Sequence, residues 1–348
     1  MLKIGIIGCG KITQVRHAPE YAENPGSVIT AFYDGVPQRA EDLARQYGAK
    51  AYANVEELLA SGVDAVSVCV ANADHAAITI QALNAGKHVL CEKPMATTLQ
   101  DCAAMNQAAQ KNKKYLMIGH NQRLAKAHVA ARKRVEAGEI GRVICFETHF
   151  GHPGPEGWTG EKNSWFFDKK RAAFGAMADL GVHKTDLIHF LLGEPIVAVS
   201  ANVCTLDKTF PDGSLVSVDD NAFCLYTTQS GVQGTLHVSW TLYGEENNST
   251  ILYGTKGVLR CYNDPKYSLV LEKPDGTKAF YQLDQLTSNK DQQSGGRTNT
   301  GVIDAFVESI LTGTPPAISG EEAIKAMRVV FAAEEASAKK AQVQVKQA

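Results

Sequence analysis

The first 120 residues alternate between short β-branched runs and stretches with helical spacing, and few architectures accept that alternation. Lys3–Ile7, Val28–Tyr33, Ala65–Val70, His88–Cys91 and Tyr115–Ile118 are near-continuous apolar runs, the pattern of strands buried on both faces. Between them lie Ile12–Tyr21, Pro37–Tyr47, Val55–Ala60, Ala76–Ala85 and Leu99–Lys111, with Pro37 placed for the first turn of its helix. Strand–helix–strand repetition requires right-handed crossovers, so this half is predicted to be a doubly wound parallel sheet covered on both faces.

After about residue 120 the pattern changes. His128–Ala137 reads as a helix, Arg142–Phe150 as a strand, and Gly151–Gly157 as a Gly/Pro-rich loop. Ala178–Leu192 reads as a helix closed by Gly193 and Pro195. From Ile196 to Phe280 the chain is strand-rich, with turns at Pro211–Gly213, Gly231, Gly254 and Pro274–Gly276. Helices over Gly301–Leu311 and Glu321–Ala338 close the chain, and the polar stretch Thr287–Thr300 reads as a mobile loop. At 348 residues two domains are expected, divided as 1–122 and 123–348, the second an α/β domain on an open, mostly antiparallel sheet.

Composition narrows the partners. Lys and Arg total 35 against 37 Asp and Glu, a net charge of -2 that offers nothing to a nucleic acid. No apolar run is long enough to span a bilayer, so no membrane partner is expected. Met1–Gly5 leads directly into a strand pattern and not into a signal peptide. The eight cysteines form no CxxC pair and sit mostly in apolar runs, which reads as reduced thiols in a cytoplasmic protein.

Three segments carry chemistry. Gly8-Cys9-Gly10-Lys11-Ile12-Thr13 follows a strand and opens a helix, so its turn can admit a pyrophosphate to the helix N-terminus. Thr13 stands where the third glycine of a dinucleotide fingerprint is usual. Asp34, at the end of the second strand, can accept both ribose hydroxyls and would repel a 2′-phosphate, which favours NAD over NADP. Cys91-Glu92-Lys93-Pro94 puts a lysine at the C-terminal end of a strand, where it can stabilise negative charge on a substrate oxygen; a solvated surface lysine is the plainer alternative. Gly175–His183 places Asp179 and His183 four apart on one helical face, an acid–base unit or a structural pair, with Asp186 three residues further on.

Together these segments resemble the glucose–fructose oxidoreductase / inositol dehydrogenase / rhizopine-catabolism (Gfo/Idh/MocA) family. The likeness rests on Gly8–Ile12, on Ala82–Pro94 with its Ala-Gly-Lys-His-Val and Glu-Lys-Pro stretches, and on Gly175–His183, and it extends over nearly the whole chain. It implies a Rossmann domain followed by an α/β domain with an open sheet, and a homodimer or homotetramer. It implies NAD as cofactor, with Gly8, Gly10, Lys11, Ile12, Asp34, Asn72, His75, Glu92 and Lys93 around it. Ala71 stands where the family often has proline. The resemblance makes Lys93, Asp179 and His183 the catalytic group, acting on a secondary alcohol of an inositol, sugar or glycoside. His183 would take the hydroxyl proton and Lys93 hold the oxygen, with Asp179 orienting one of them. Arg123, His152 and Trp165 are candidate substrate contacts, against the plainer readings of surface or core residues. Two other activities fit the same parts: a redox-neutral NAD-dependent glycosidase, and a non-catalytic NAD-binding regulator, which would not need all three catalytic residues.

Overall fold

The protein is described by a computed structural model over residues 1–160, 164–286 and 299–347. Most of the expected loop Thr287–Thr300 lies outside the described residues. The chain separates into two compact units. One takes in Met1–His120, Lys170–Ala173 and the described part of Lys290–Ile324; the other takes in Asn121–Lys169, Phe174–Asn289 and Lys325–Ala348 where described.

The first unit is built on six parallel strands: β1 (Leu2–Ile7), β2 (Ser27–Tyr33), β3 (Lys50–Ala51), β4 (Ala65–Val68), β5 (His88–Cys91) and β6 (Leu116–Ile118). Their order, β3-β2-β1-β4-β5-β6, is that of a dinucleotide-binding Rossmann sheet, with the strand order reversing at β1. Ile6 and Ile7 are neighbours pointing to opposite faces, and both are fully buried, as are Val66, Val68, Val89 and Leu90. Helices on both sides explain why these runs carry no polar alternation. Each such side chain contributes about 1.5–3 kcal/mol of burial. The helix expected over Ile12–Tyr21 opens at Lys11 and Ile12, passes through a π-helical turn, Thr13–His17, and continues as an α-helix over Ala18–Glu23. Residues 299–324 join this unit through Thr300, whose N–H reaches Glu20 at 3.0 Å, and Asp304, which accepts from Asn24 at 2.6 Å.

Among the described residues the second unit carries nine strands: β7 (Val143–Gly151), β8 (Ile196–Cys204), β9 (Asn221–Thr228), β10 (Gln233–Ser239), β11 (Thr250–Gly254), β12 (Gly257–Cys261), β13 (Leu269–Glu272), β14 (Lys278–Tyr281) and β15 (Val343–Gln344). Their order is β14-β13-β12-β11-β7-β10-β9-β8-β15, and among the described residues only β7 and β10 pair in parallel. One face is covered: Leu236, Val238 and Trp240 are 1%, 0% and 0% exposed. On β9 Phe223 and Leu225 are 42% and 46% exposed while Ala222, Cys224 and Tyr226 are buried. The register pairs Leu236 with Cys224 and His237 with Phe223, so Phe223 and Leu225 lie on the opposite face from Leu236. The helix expected over Ala178–Leu192 is a π-helical turn, Met177–Gly181, running into the α-helix Val182–Leu192. Among the described residues no helix is long and apolar enough to cross a membrane. All eight cysteines are free.

Candidate active site

The glycine turn closes as its residues dictate. Gly8 adopts φ +97°, and a Cβ there would lie 2.3 Å from the Cys69 carbonyl oxygen, so only glycine fits. Around Gly10 a Cβ would meet nothing within 4 Å, which leaves open space beside the backbone. Thr13 is buried and its hydroxyl donates to the Gly8 carbonyl at 2.6 Å, tying helix to turn where a third glycine is usual. The Asp34 carboxylate accepts the Cys9 N–H on one oxygen and the Val36 N–H on the other, both at 2.7 Å. Each oxygen keeps a further lone pair for a ribose hydroxyl. Lys11 and Ile12 are half-buried at the start of the helix. This open turn at a helix N-terminus, with a carboxylate held beside it, fits an NAD molecule.

Lys93 lies two residues beyond β5, is joined to Pro94 by a cis peptide bond and is half-exposed. The residues behind it form a buried polar chain. Glu92 accepts the Lys93 N–H at 3.2 Å and binds His17 Nε2 at 2.8 Å, with Arg16 at 3.8 Å. His17 Nδ1 lies 3.1 Å from the Ser67 hydroxyl, which meets the Tyr21 hydroxyl at 2.9 Å. Burial works against the charged His17, but the neighbouring Cys69 sulfur and the Glu92 carboxylate outweigh it and hold the imidazole up to about 10. Burial likewise opposes the Glu92 charge, and His17 and then Arg16 hold its carboxyl down to about 2. Both partners are thus charged at neutral pH. His75 is buried with Nδ1 2.8 Å from the Pro94 carbonyl and Nε2 3.2 Å from that of Val70, so its ring braces the segment after Lys93. Asn72 is also buried and donates to the Ala172 carbonyl at 2.9 Å.

In the second unit Asp179 and His183 are 9% and 7% exposed. Asp179 sits in the π turn, and Trp240 Nε1 donates to its Oδ2 at 3.1 Å. The Phe150 ring lies 6.3 Å from that of His183. Trp165 stacks on Phe166 at 4.1 Å, and Phe166 and Phe167 stand edge-on to Trp240 at 6.3 and 6.0 Å, an aromatic wall behind Asp179. His152 is buried and its Nδ1 accepts the Gly154 N–H at 3.0 Å, folding the loop after β7 onto itself. Arg123 grips Asp186 with two bonds of 2.6 Å, so both side chains are committed to each other in the core of the unit. His17, Ser67, Tyr21 and Trp240 were not singled out from the sequence: they sit in ordinary helix and strand patterns, and nothing local marks their partners.

The parallel sheet, the open glycine turn and the placed carboxylate define a dinucleotide-binding α/β protein. Comparison with known proteins makes this particular. Residues 2–120 match the model of the oxidoreductase family with an NAD-binding Rossmann fold, and residues 128–260 match the Gfo/Idh/MocA C-terminal domain. The chain is 25% identical over 99% of both chains to the myo-inositol 2-dehydrogenase of Thermotoga maritima. It is 30% identical to the 1,5-anhydro-D-fructose reductase of Ensifer adhaerens, over 80% of this chain and 79% of that one. A levoglucosan dehydrogenase solved with NADH and levoglucosan superposes with a TM-score of 0.84 at 25% identity, covering all of both chains. The chain belongs to the Gfo/Idh/MocA family of NAD-binding oxidoreductases.

Proposed function

We propose that this protein is an NAD-dependent dehydrogenase that oxidises a secondary alcohol of a cyclic polyol, such as an inositol, a sugar or a glycoside. Residues 1–122 bind the cofactor and residues 123–348 recognise the substrate. Bound NAD supplies the carbon that accepts or returns the hydride. The pairing of Asp179 and His183 on one helix, with the indole N–H of Trp240 aimed at Asp179, carries the reading. That bond fixes the orientation of the Asp179 carboxyl group, which can in turn orient a neighbouring cation or imidazole. His183 takes the proton of the reacting hydroxyl, and the Lys93 ammonium steadies the oxygen as its charge develops. Gly8, Gly10, Lys11 and Ile12 hold the pyrophosphate, and Asp34 reads the adenosine ribose. Asn72, His75 and Glu92 hold the backbone on either side of the cofactor. His152 and Trp165 contact the substrate, and Arg123 shapes that region through Asp186. Relatives named for inositol, anhydrofructose and levoglucosan point to the same substrate class. Phe223 and Leu225, exposed on β9, fit a subunit contact in a homodimer or homotetramer.

The test is a panel of inositols, sugars and glycosides with NAD, read as NADH absorbance at neutral and alkaline pH. Stoichiometric NADH with at least one polyol is the expected result. Cleavage of a glycoside without net NADH would instead establish the redox-neutral glycosidase.

A further inference from the structure

The helix that carries Asp179 and His183 has no capping side chain of its own. Its first N–H groups are met from more than forty residues away. The Asp219 carboxylate accepts the Gly175 N–H on Oδ1 and the Met177 N–H on Oδ2, both at 2.7 Å, and its carbonyl accepts the Ala176 N–H at 2.9 Å. The fit is so close that a Cβ on Gly175 would fall 1.7 Å from the Asp219 carbonyl oxygen. A buried aspartate that accepts three consecutive N–H groups, two on its carboxylate and one on its carbonyl, fixes where the π turn begins, and with it the rotation of Asp179 and His183 about the helix axis.

The next residue does the corresponding work for a loop. Asp220 is fully buried, and its carboxylate accepts the N–H groups of Leu206 at 2.7 Å and of Asp207 and Lys208 at 2.8 Å. Lys208 is itself buried and donates to the Pro153 carbonyl and the Glu156 carboxylate, and its ammonium lies 4.9 Å from the Tyr243 ring centroid. The Lys208 backbone is thus set by Asp220, and its side chain clamps the loop that begins at His152.

We propose that Asp219 and Asp220 are the positioning residues of the second unit, Asp219 for the helix bearing Asp179 and His183, and Asp220, through Lys208, for the loop bearing His152. The kinetic part rests on the proposed polyol oxidation; the structural part does not. Asp219→Asn leaves one oxygen for two N–H donors, so one of them loses its acceptor.

The experiment compares the full-length wild type with Asp219→Asn, Asp220→Asn and Lys208→Met by backbone amide exchange and by steady-state kinetics with NAD and the best polyol. In Asp219→Asn, exchange should quicken over Gly175–Gly181, and kcat should fall about tenfold with the polyol KM changed less than about threefold. In Asp220→Asn and Lys208→Met, exchange should quicken over 206–208 and 152–157, and the polyol KM should rise about tenfold with kcat far less affected. The Kd of NAD should stay constant in all of them. Should Asp219→Asn not fold, Asp219→Ser, which retains a single acceptor, replaces it; Lys208→Met leaves the backbone cap intact and stands in for Asp220→Asn. Unaltered exchange at Gly175–Gly181 in the Asp219 variant overturns the proposal, and so do equal effects of both variants on kcat and KM. If the wild type oxidises no polyol, the functional reading fails while the exchange pattern still decides the positioning roles.

Discussion

Replacing His17 by Gln removes the positive partner of Glu92 but leaves a side chain that can donate one hydrogen bond. Both groups are buried, 0% and 6% exposed, and 2.8 Å apart. Breaking one half of a buried ion pair costs about 3–5 kcal/mol. Arg16 stays 3.8 Å from the carboxylate, so a loss near the lower end, about 3 kcal/mol, is expected. The pH dependence follows from the sign of each shift. His17 is raised from 6.5 to about 10, so its contribution is complete below 6.5 and fades as pH rises toward 10. Glu92 is lowered from 4.5 to about 2, so its contribution is complete above 4.5 and fades as pH falls toward 2. The gap between wild type and variant should therefore be widest between 4.5 and 6.5 and should narrow on the alkaline side. Urea unfolding of both proteins near pH 5.5, 7.5 and 9.5 measures it. A gap that stays constant or widens toward alkaline pH would refute the assignment of a buried imidazolium behind Lys93.

Other outcomes follow from the same contacts. Asp34→Ser removes the carboxylate beside the glycine turn and should lower the preference for NAD over NADP in kcat/KM by about tenfold or more; an unchanged ratio would rule out Asp34 as the ribose reader. Trp240→Phe keeps the aromatic packing but withdraws the N–H from Asp179, and kcat should fall about tenfold with the Kd of NAD unchanged. Burial and then the neighbouring Asp219 push Glu334 up to about 7, so the folded protein holds that proton more tightly than the unfolded chain and loses stability as pH rises from 4.5 to 7. Glu334→Gln should abolish that decline, seen as a smaller drop in urea midpoint between about pH 5 and 8.

The architecture was legible where one physical cause dominates. Double-faced burial of Ile4–Ile7, Val66 and Val89 leaves apolar runs without alternation, and that texture identified the parallel sheet. The π turns at Thr13–His17 and Met177–Gly181 were not legible, because one extra residue in a helix leaves its apolar spacing almost unchanged. Nor was the two-residue strand β3, which contributes only an edge. At the candidate site, residues in a dense local motif, such as Gly8–Thr13 and Glu92–Pro94, announced themselves. Partners supplied from far along the chain did not: Ser67 stands 50 residues from His17, and Trp240 stands 61 from Asp179. Asp186 shows the converse. Its spacing from His183 suggested one partner, while tertiary packing brought Arg123 to it across 63 residues.

The account rests most heavily on Lys93 and His183 working on one hydroxyl with NAD. Steady-state oxidation of the best polyol by Lys93→Ala, His183→Ala and the double variant, with the Kd of NAD measured alongside, tests this directly. Each single change should lower kcat by about 10²–10⁴ with NAD still bound, and the double variant should be little worse than the weaker single. Turnover near the wild-type rate in either single variant would contradict it.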